Sequence, residues 1–179
     1  MQRRLRMLES LEPRQMLDST VVLNELMYNP AGADESLEWV ELHNQMAVDM
    51  DLSDWRLDDG VDFTFPEGTV IPGGGYLVVA SNPGALETAG VFTGALGPYT
   101  GRLSNSGEQI ELFNNSDRLM DGVDYGDDVN WPVAPDGSGA SLAKIEPLSA
   151  SEPAGNWAAS AQVNGTPGAV SFTTPMATA

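Results

Sequence analysis

The stretch LEWVELHNQMAVDMDLSDWRLDDGVDFTFPEGTVIPGGGYLVVA, Leu37 to Ala80, decides the fold. Val40 and Leu42 alternate with polar neighbours, as do Trp55 with Leu57, and Val61 with Phe63 and Phe65. That two-residue period predicts strands with one face buried and one wet. Asp59-Gly60 reads as a hairpin turn between two such strands. Pro72-Gly73-Gly74-Gly75 opens the unbroken apolar run Tyr76 to Ala80, which suits a strand covered on both faces.

Outward from this stretch the same grammar continues. Thr20 to Tyr28 predicts an opening strand ended by the turn Asn29-Pro30-Ala31-Gly32. Pro83 to Gly90 has room for one helical turn, and Gly94 to Gly101 reads as loop. Further strands are predicted at Glu108 to Phe113, with Ile110 and Leu112 on one face, and at Arg118 to Tyr125, bent at Gly122. Gly126 to Gly139 is a long acidic loop carrying Trp131. Ser141 to Glu146 is the last predicted strand, and Trp157 with Gly165-Thr166-Pro167-Gly168 an ordered wrap. About eight short strands with frequent turns and almost no helix point to an antiparallel sandwich or barrel. Residues 1–19 form a separate tail, partly helical or disordered, and 169–179 a disordered one, leaving 20–168 as the domain.

The charge narrows the function classes. The chain carries a net charge of −18, with four of its eight basic residues in the first fourteen positions. From residue 20 onward, 23 acidic residues face four basic ones. Such a surface repels phosphate backbones and anionic headgroups, so nucleic-acid binding is disfavoured. No cysteine is present, which removes disulfides and thiolate metal sites. No apolar run is long enough for a secretory signal or a membrane-spanning helix.

Several motifs together carry a family resemblance. They are Asn24-Glu25-Leu26-Met27-Tyr28-Asn29-Pro30, Glu38-Trp39-Val40-Glu41-Leu42 with Asn44, and Leu52-Ser53-Asp54-Trp55-Arg56-Leu57. Then come Phe65-Pro66 with Gly68, Ile71-Pro72-Gly73-Gly74-Gly75-Tyr76, Leu103-Ser104-Asn105-Ser106-Gly107-Glu108 and Asp121-Gly122-Val123-Asp124-Tyr125. Trp131-Pro132 and the Gly165-Thr166-Pro167-Gly168 ending complete the set. In order and spacing, over roughly residues 20–168, this resembles the bacterial form of the lamin tail domain. The resemblance implies an immunoglobulin-like β-sandwich acting as a non-catalytic structural or interaction module. The animal members' association with DNA is not carried over, because this chain is acidic. Separately, Leu11-Glu12-Pro13-Arg14 with Met16-Leu17 resembles the LEPR-XLL segment of planctomycete surface and exported proteins. That implies an exported or cell-surface location, and a chain that is the N-terminal portion of a longer product.

Candidate chemistry is sparse. His43, the single histidine, falls on the outward phase beside Glu41 and reads as a surface residue without metal or acid–base partners. Glu38 and Glu41 point to opposite faces, so they cannot form one acid–base site; Glu38 is expected to bond backbone at the strand end. Ser104, Ser106 and Ser138 lie in turns without a nucleophile motif, and Gly73-Gly74-Gly75 is a turn rather than a phosphate loop. No catalytic, cofactor-binding or metal residue is assigned. The aspartates at 49, 51 and 54, at 58, 59 and 62, and at 121, 124, 127, 128 and 136 read as turn starters and guards of edge strands. Their spacing also raises an alternative, a calcium-dependent adhesion or carbohydrate-binding module. Trp55 is expected in the core. Trp39 is out of phase, either stacking on a sugar or protein partner or covered by the Gly126–Gly139 loop. The expected partner is a protein or cell-surface polymer.

Overall fold

The computed structural model describes residues 20–172. The expected N-terminal tail with its Leu11–Leu17 motif, and the C-terminal tail from 173, lie outside the described residues.

The strands run β1 (Val21–Met27), β2 (Trp39–Asn44), β3 (Met50–Asp51), β4 (Arg56–Asp59), β5 (Val61–Thr64), β6 (Val70–Ile71) and β7 (Tyr76–Ala80). After helix α1 (Pro83–Thr88) come β8 (Thr100–Gly101), β9 (Gly107–Phe113), β10 (Leu119–Gly126), β11 (Ala140–Lys144) and β12 (Trp157–Val163). One five-stranded sheet has the order β12-β11-β1-β2-β7, the other β10-β9-β4-β5-β8, and β3 pairs with β6 as a small ribbon. All pairings between these strands are antiparallel. This is the immunoglobulin-like sandwich that the sequence resemblance implied.

The inward phase matches expectation. Val40, Leu42, Leu23 and Val79 of the first sheet meet Trp55, Leu57, Ile110, Leu112 and Val123 of the second in one core, with Phe63 packed at its margin. Burying a large aliphatic side chain there contributes about 1.5–3 kcal/mol against an exposed reference.

The outward phase of the first sheet departs from expectation. Every residue of β1 and β2 is buried, not every second one. A second apolar cluster explains half of this: Met27, Trp39, Val78 and Ala80 lie under Leu86 of α1, flanked by Leu37, Val91, Phe92 and Ala95. Helix α1 is short but well started, with Asn82 Oδ1 accepting from the Ala85 N–H at 3.1 Å and Pro83 in the first turn. The remainder of that outer face is covered by the chain after β12 at Glu25 and Glu41 and by the turn after β11 near His43.

Three boundaries also differ. The run from Asp51 to Asp58 breaks into β3 and β4, because Asp51 caps Ser53 and Asp54 adopts φ +61° in a turn that ends with Trp55 N–H donating to Leu52 O. The expected 94–101 loop contains β8. Ser141–Glu146 is not the last strand, since Trp157–Val163 pairs with β11 as β12. Its sequence WAASAQV has neither alternation nor many β-branched residues, so pairing with an existing edge decides its conformation.

Candidate functional site

The polar residues of β1 and β2 converge on the outer face of the first sheet. In the antiparallel register Glu25 stands opposite Glu41, just past a bulge at Asn24. Cross-strand partners of this kind have Cβ atoms about 5 Å apart. Both glutamates are fully buried, and none of the ion pairs among the described residues involves either. Donors from the closing segment take the place of a cation. Glu25 accepts from the Ser141 hydroxyl, from Thr166 N–H (2.8 Å) and Oγ1 (2.7 Å), and from Ser171 Oγ (2.9 Å). Glu41 accepts from Asn24 Nδ2 (2.8 Å) and from the Gly168 N–H. Burial pushes the Glu41 carboxyl up to about 8; the Gly168 hydrogen bond opposes this, the neighbouring Glu25 adds to it, and the Asn24 amide opposes it.

The closing segment fits only with glycine at position 165. Its φ is +72°, and a Cβ there would lie 2.5 Å from Glu25 Oε1 and 2.8 Å from Trp39 Cζ2. Trp39 is therefore covered, as one reading expected, but by the α1 region and this wrap rather than by the 126–139 loop. The wrap continues to Ser171, whose hydroxyl donates to Glu25.

A second buried polar group links the sheets. Asp121 of β10 is 1% exposed, and its Oδ2 accepts from Leu23 N–H of β1 at 2.7 Å and from Ser151 Oγ at 2.6 Å. Lys144 of β11 is equally buried; its Nζ donates to Ser149 O at 2.9 Å and stands 5.8 Å from the Trp157 ring centroid. Burial drives the two in opposite directions. The Asp121 carboxyl is raised, and the Lys144 ammonium lowered to about 8, despite their mutual attraction. Desolvation outweighs pairing for both partners.

Other expectations resolve residue by residue. Glu38 does bond the chain at the strand end, accepting from Leu103 N–H (2.9 Å) and the Tyr99 hydroxyl (3.2 Å). His43 and Glu41 keep their outward phase but are not surface residues. His43 is 6% exposed, stacked on Tyr76 at 4.6 Å, and burial lowers its pKa. Their cover comes from segments distant in sequence, which periodicity does not register. Asp121 leaves the third aspartate group for the interior. Most other aspartates organise turns and surface contacts: Asp49 accepts from Gly73 N–H, Asp51 from Ser53, Asp128 from Asn130 N–H and Asp136 from Asn29 Nδ2. Among the described residues no group of three or more potential ligands has the geometry to hold a metal ion, and no helix is long and apolar enough to cross a membrane.

The outer face of the second sheet is uncovered. Asp62, Gln109 and Asp124 are exposed there, with Asp58, Glu111 and Phe113 half-buried. Asp58 stands directly opposite Glu111, and a shallow depression of about 300 Å³ is lined by Gln109, Glu111, Asp124 and Glu152. Arg56 supplies local compensation, bonding Asp58 and Asp117 and lying 4.3 Å from the Phe113 ring centroid.

Compared with known families, residues 15–127 match the model described as Lamin Tail Domain. No curated protein matches the chain.

Proposed function

Because the chain belongs to the lamin tail domain family, whose match spans more than half of its length, we propose that it serves as a non-catalytic interaction or architectural module of an exported or cell-surface protein. The observation that carries this reading is the asymmetry of the two faces. One sheet is roofed by α1 and the closing segment, and its buried Glu25 and Glu41 hold that segment. The other presents a bare acidic face with like charges directly opposite each other, an arrangement that costs stability and suits docking to a partner. The partner is a protein or cell-surface polymer with cationic groups; phosphate backbones are repelled. The resemblance of Leu11–Leu17 to the LEPR-XLL segment supports the exported location.

Two measurements test this. A reporter active only outside the cytoplasm, fused after residue 172 of the whole chain, becomes active in the source cell if the protein is exported; cytoplasmic retention refutes the location. Purified protein is retained by the cell-envelope fraction at low salt, and the triple variant Asp58→Lys, Glu111→Lys, Asp124→Lys loses that retention. Equal retention of wild type and variant refutes the acidic face as the docking surface.

A further inference from the structure

The closing segment is fastened to a place where two buried carboxyl groups meet without a cation. We propose that residues Asn164–Ser171 form a proton-dependent latch, closed over the outer face of the first sheet while Glu41 carries a proton and released when that proton leaves.

Three features of the geometry support it. Glu25 and Glu41 are cross-strand partners in full burial, where two negative charges repel at low dielectric with no counter-ion to offset them. Nearly every donor that reaches the pair from outside β1 and β2 belongs to the closing segment: Thr166 N–H, Thr166 Oγ1, Gly168 N–H and Ser171 Oγ, with Ser141 of β11 the exception. Asn24 Oδ1 is a buried acceptor without a donor, while the same amide's Nδ2 meets Glu41 Oε1. With that amide turned over, a protonated Glu41 can donate to Asn24 Oδ1 where the carboxylate accepts from Nδ2, so the acid form keeps a hydrogen bond at this position while the orphaned amide atom changes from Oδ1 to Nδ2.

The surrounding titratable groups do not substitute for the proton. The segment itself, NGTPGAVS, contains no charged residue. From β7 the Tyr76 hydroxyl faces the pair and is held neutral, its pKa raised by burial and then by Glu41 and Glu25. On β2, burial lowers the His43 pKa, away from the cationic form that would offset the pair. On β11, Lys144 interacts with Asp121 rather than with the pair. The sign follows from Glu41. Its folded pKa is raised from the ordinary 4.5 to about 8, so the closed state is favoured fully below about 4.5 and loses that advantage as pH rises through about 8.

Amide hydrogen exchange by NMR on the whole chain, corrected for intrinsic rates, reads the latch at Thr166 and Gly168. Between about pH 5 and 8 their protection factors fall on the order of tenfold per pH unit. Phe65, whose N–H bonds Trp55 O inside the sandwich, keeps its protection. In Glu41→Gln the protection of Thr166 and Gly168 stays high and flat with pH. Independently of any variant, the carboxyl carbon resonance of wild-type Glu41 titrates near pH 8, where the fall in protection levels off. Flat protection in the wild type overturns the latch. So does a Glu41 midpoint in the ordinary carboxylate range, or a fall at Phe65 parallel to that at Thr166.

Discussion

Replacing Lys144 with methionine should stabilise the protein at neutral pH, although it removes the cation beside a buried aspartate. Methionine keeps the apolar stem that lies against Trp157 and gives up the charge. The fall of the Lys144 pKa from 10.5 to about 8 corresponds to roughly 3 kcal/mol of penalty for holding the charged form inside. The attraction of Asp121 is already contained in that figure. The variant also loses the Nζ–Ser149 O hydrogen bond, about 1 kcal/mol. The net expectation is a gain of about 2 kcal/mol at pH 6–7, seen as a rise of about 1 M in the urea midpoint followed by tryptophan fluorescence. The pH dependence is the sharper test. Below about pH 8 lysine is protonated in folded and unfolded chains alike, and the full penalty is present. Between about 8 and 10.5 the unfolded chain binds more protons than the folded one, so the wild type gains stability as pH rises. The gap between variant and wild type therefore closes by about pH 10.5, while the repulsion common to both proteins cancels in the difference. A variant less stable at pH 6, or a gap that does not change with pH, refutes the claim that desolvation exceeds pairing at this site.

Trp55→Ala removes an indole that is 6% exposed in the main core and costs about 3–5 kcal/mol in chemical denaturation. Gly165→Ala must place a Cβ against Glu25 and Trp39 at positive φ; a loss of about 2 kcal/mol or more, with faster exchange at Thr166, is expected, and unchanged exchange contradicts the fit described. Asp117→Asn removes the charge from an ion pair whose carboxylate is 86% exposed and keeps a side chain tolerated at the local φ of +57°, and thermal melting should register less than about 0.5 kcal/mol.

The core residues and most of the strands around Leu37–Ala80 were legible because period-2 alternation and Gly/Pro turns are local signals. Val40, Leu42, Trp55 and Ile110 meet as that alternation requires, and Glu38 bonds backbone because it precedes the strand rather than lying within it. What alternation cannot report is whether the outward face stays wet. Glu41 and His43 took the phase expected of them and were buried nonetheless, by chain that returns from beyond β12 and from the turn after β11. The pairing of Glu25 with Glu41 depends on register across a bulge, which no single-strand pattern encodes. Two signals were nevertheless present. Lys144 is the one charge in the strand ASLAK, and NGTPGAVS is an uncharged segment rich in small donors. The first is what a buried cation looks like in sequence, and the second is what buried carboxylates need nearby.

The family match ends at residue 127, yet the structure does not. Glu25, Glu41 and Asp121 lie within the matched part, whereas Ser141, Lys144, Ser151, Thr166, Gly168 and Ser171, which satisfy or face them, lie after it. Strand β11 also pairs along β1, whose backbone would otherwise form an open edge. Without these donors Glu25 would lose its hydrogen bonds from Ser141, Thr166 and Ser171, while Glu41 would keep only Asn24 and Asp121 would lose that from Ser151; an unsatisfied buried acceptor costs about 1–3 kcal/mol, more where it is charged. Strands β11 and β12 thus complete the first sheet of the matched sandwich, and residues 164–171 close over its outer face. The matched part brings the buried acids, and the following part brings most of the donors to Glu25 and one each to Glu41 and Asp121.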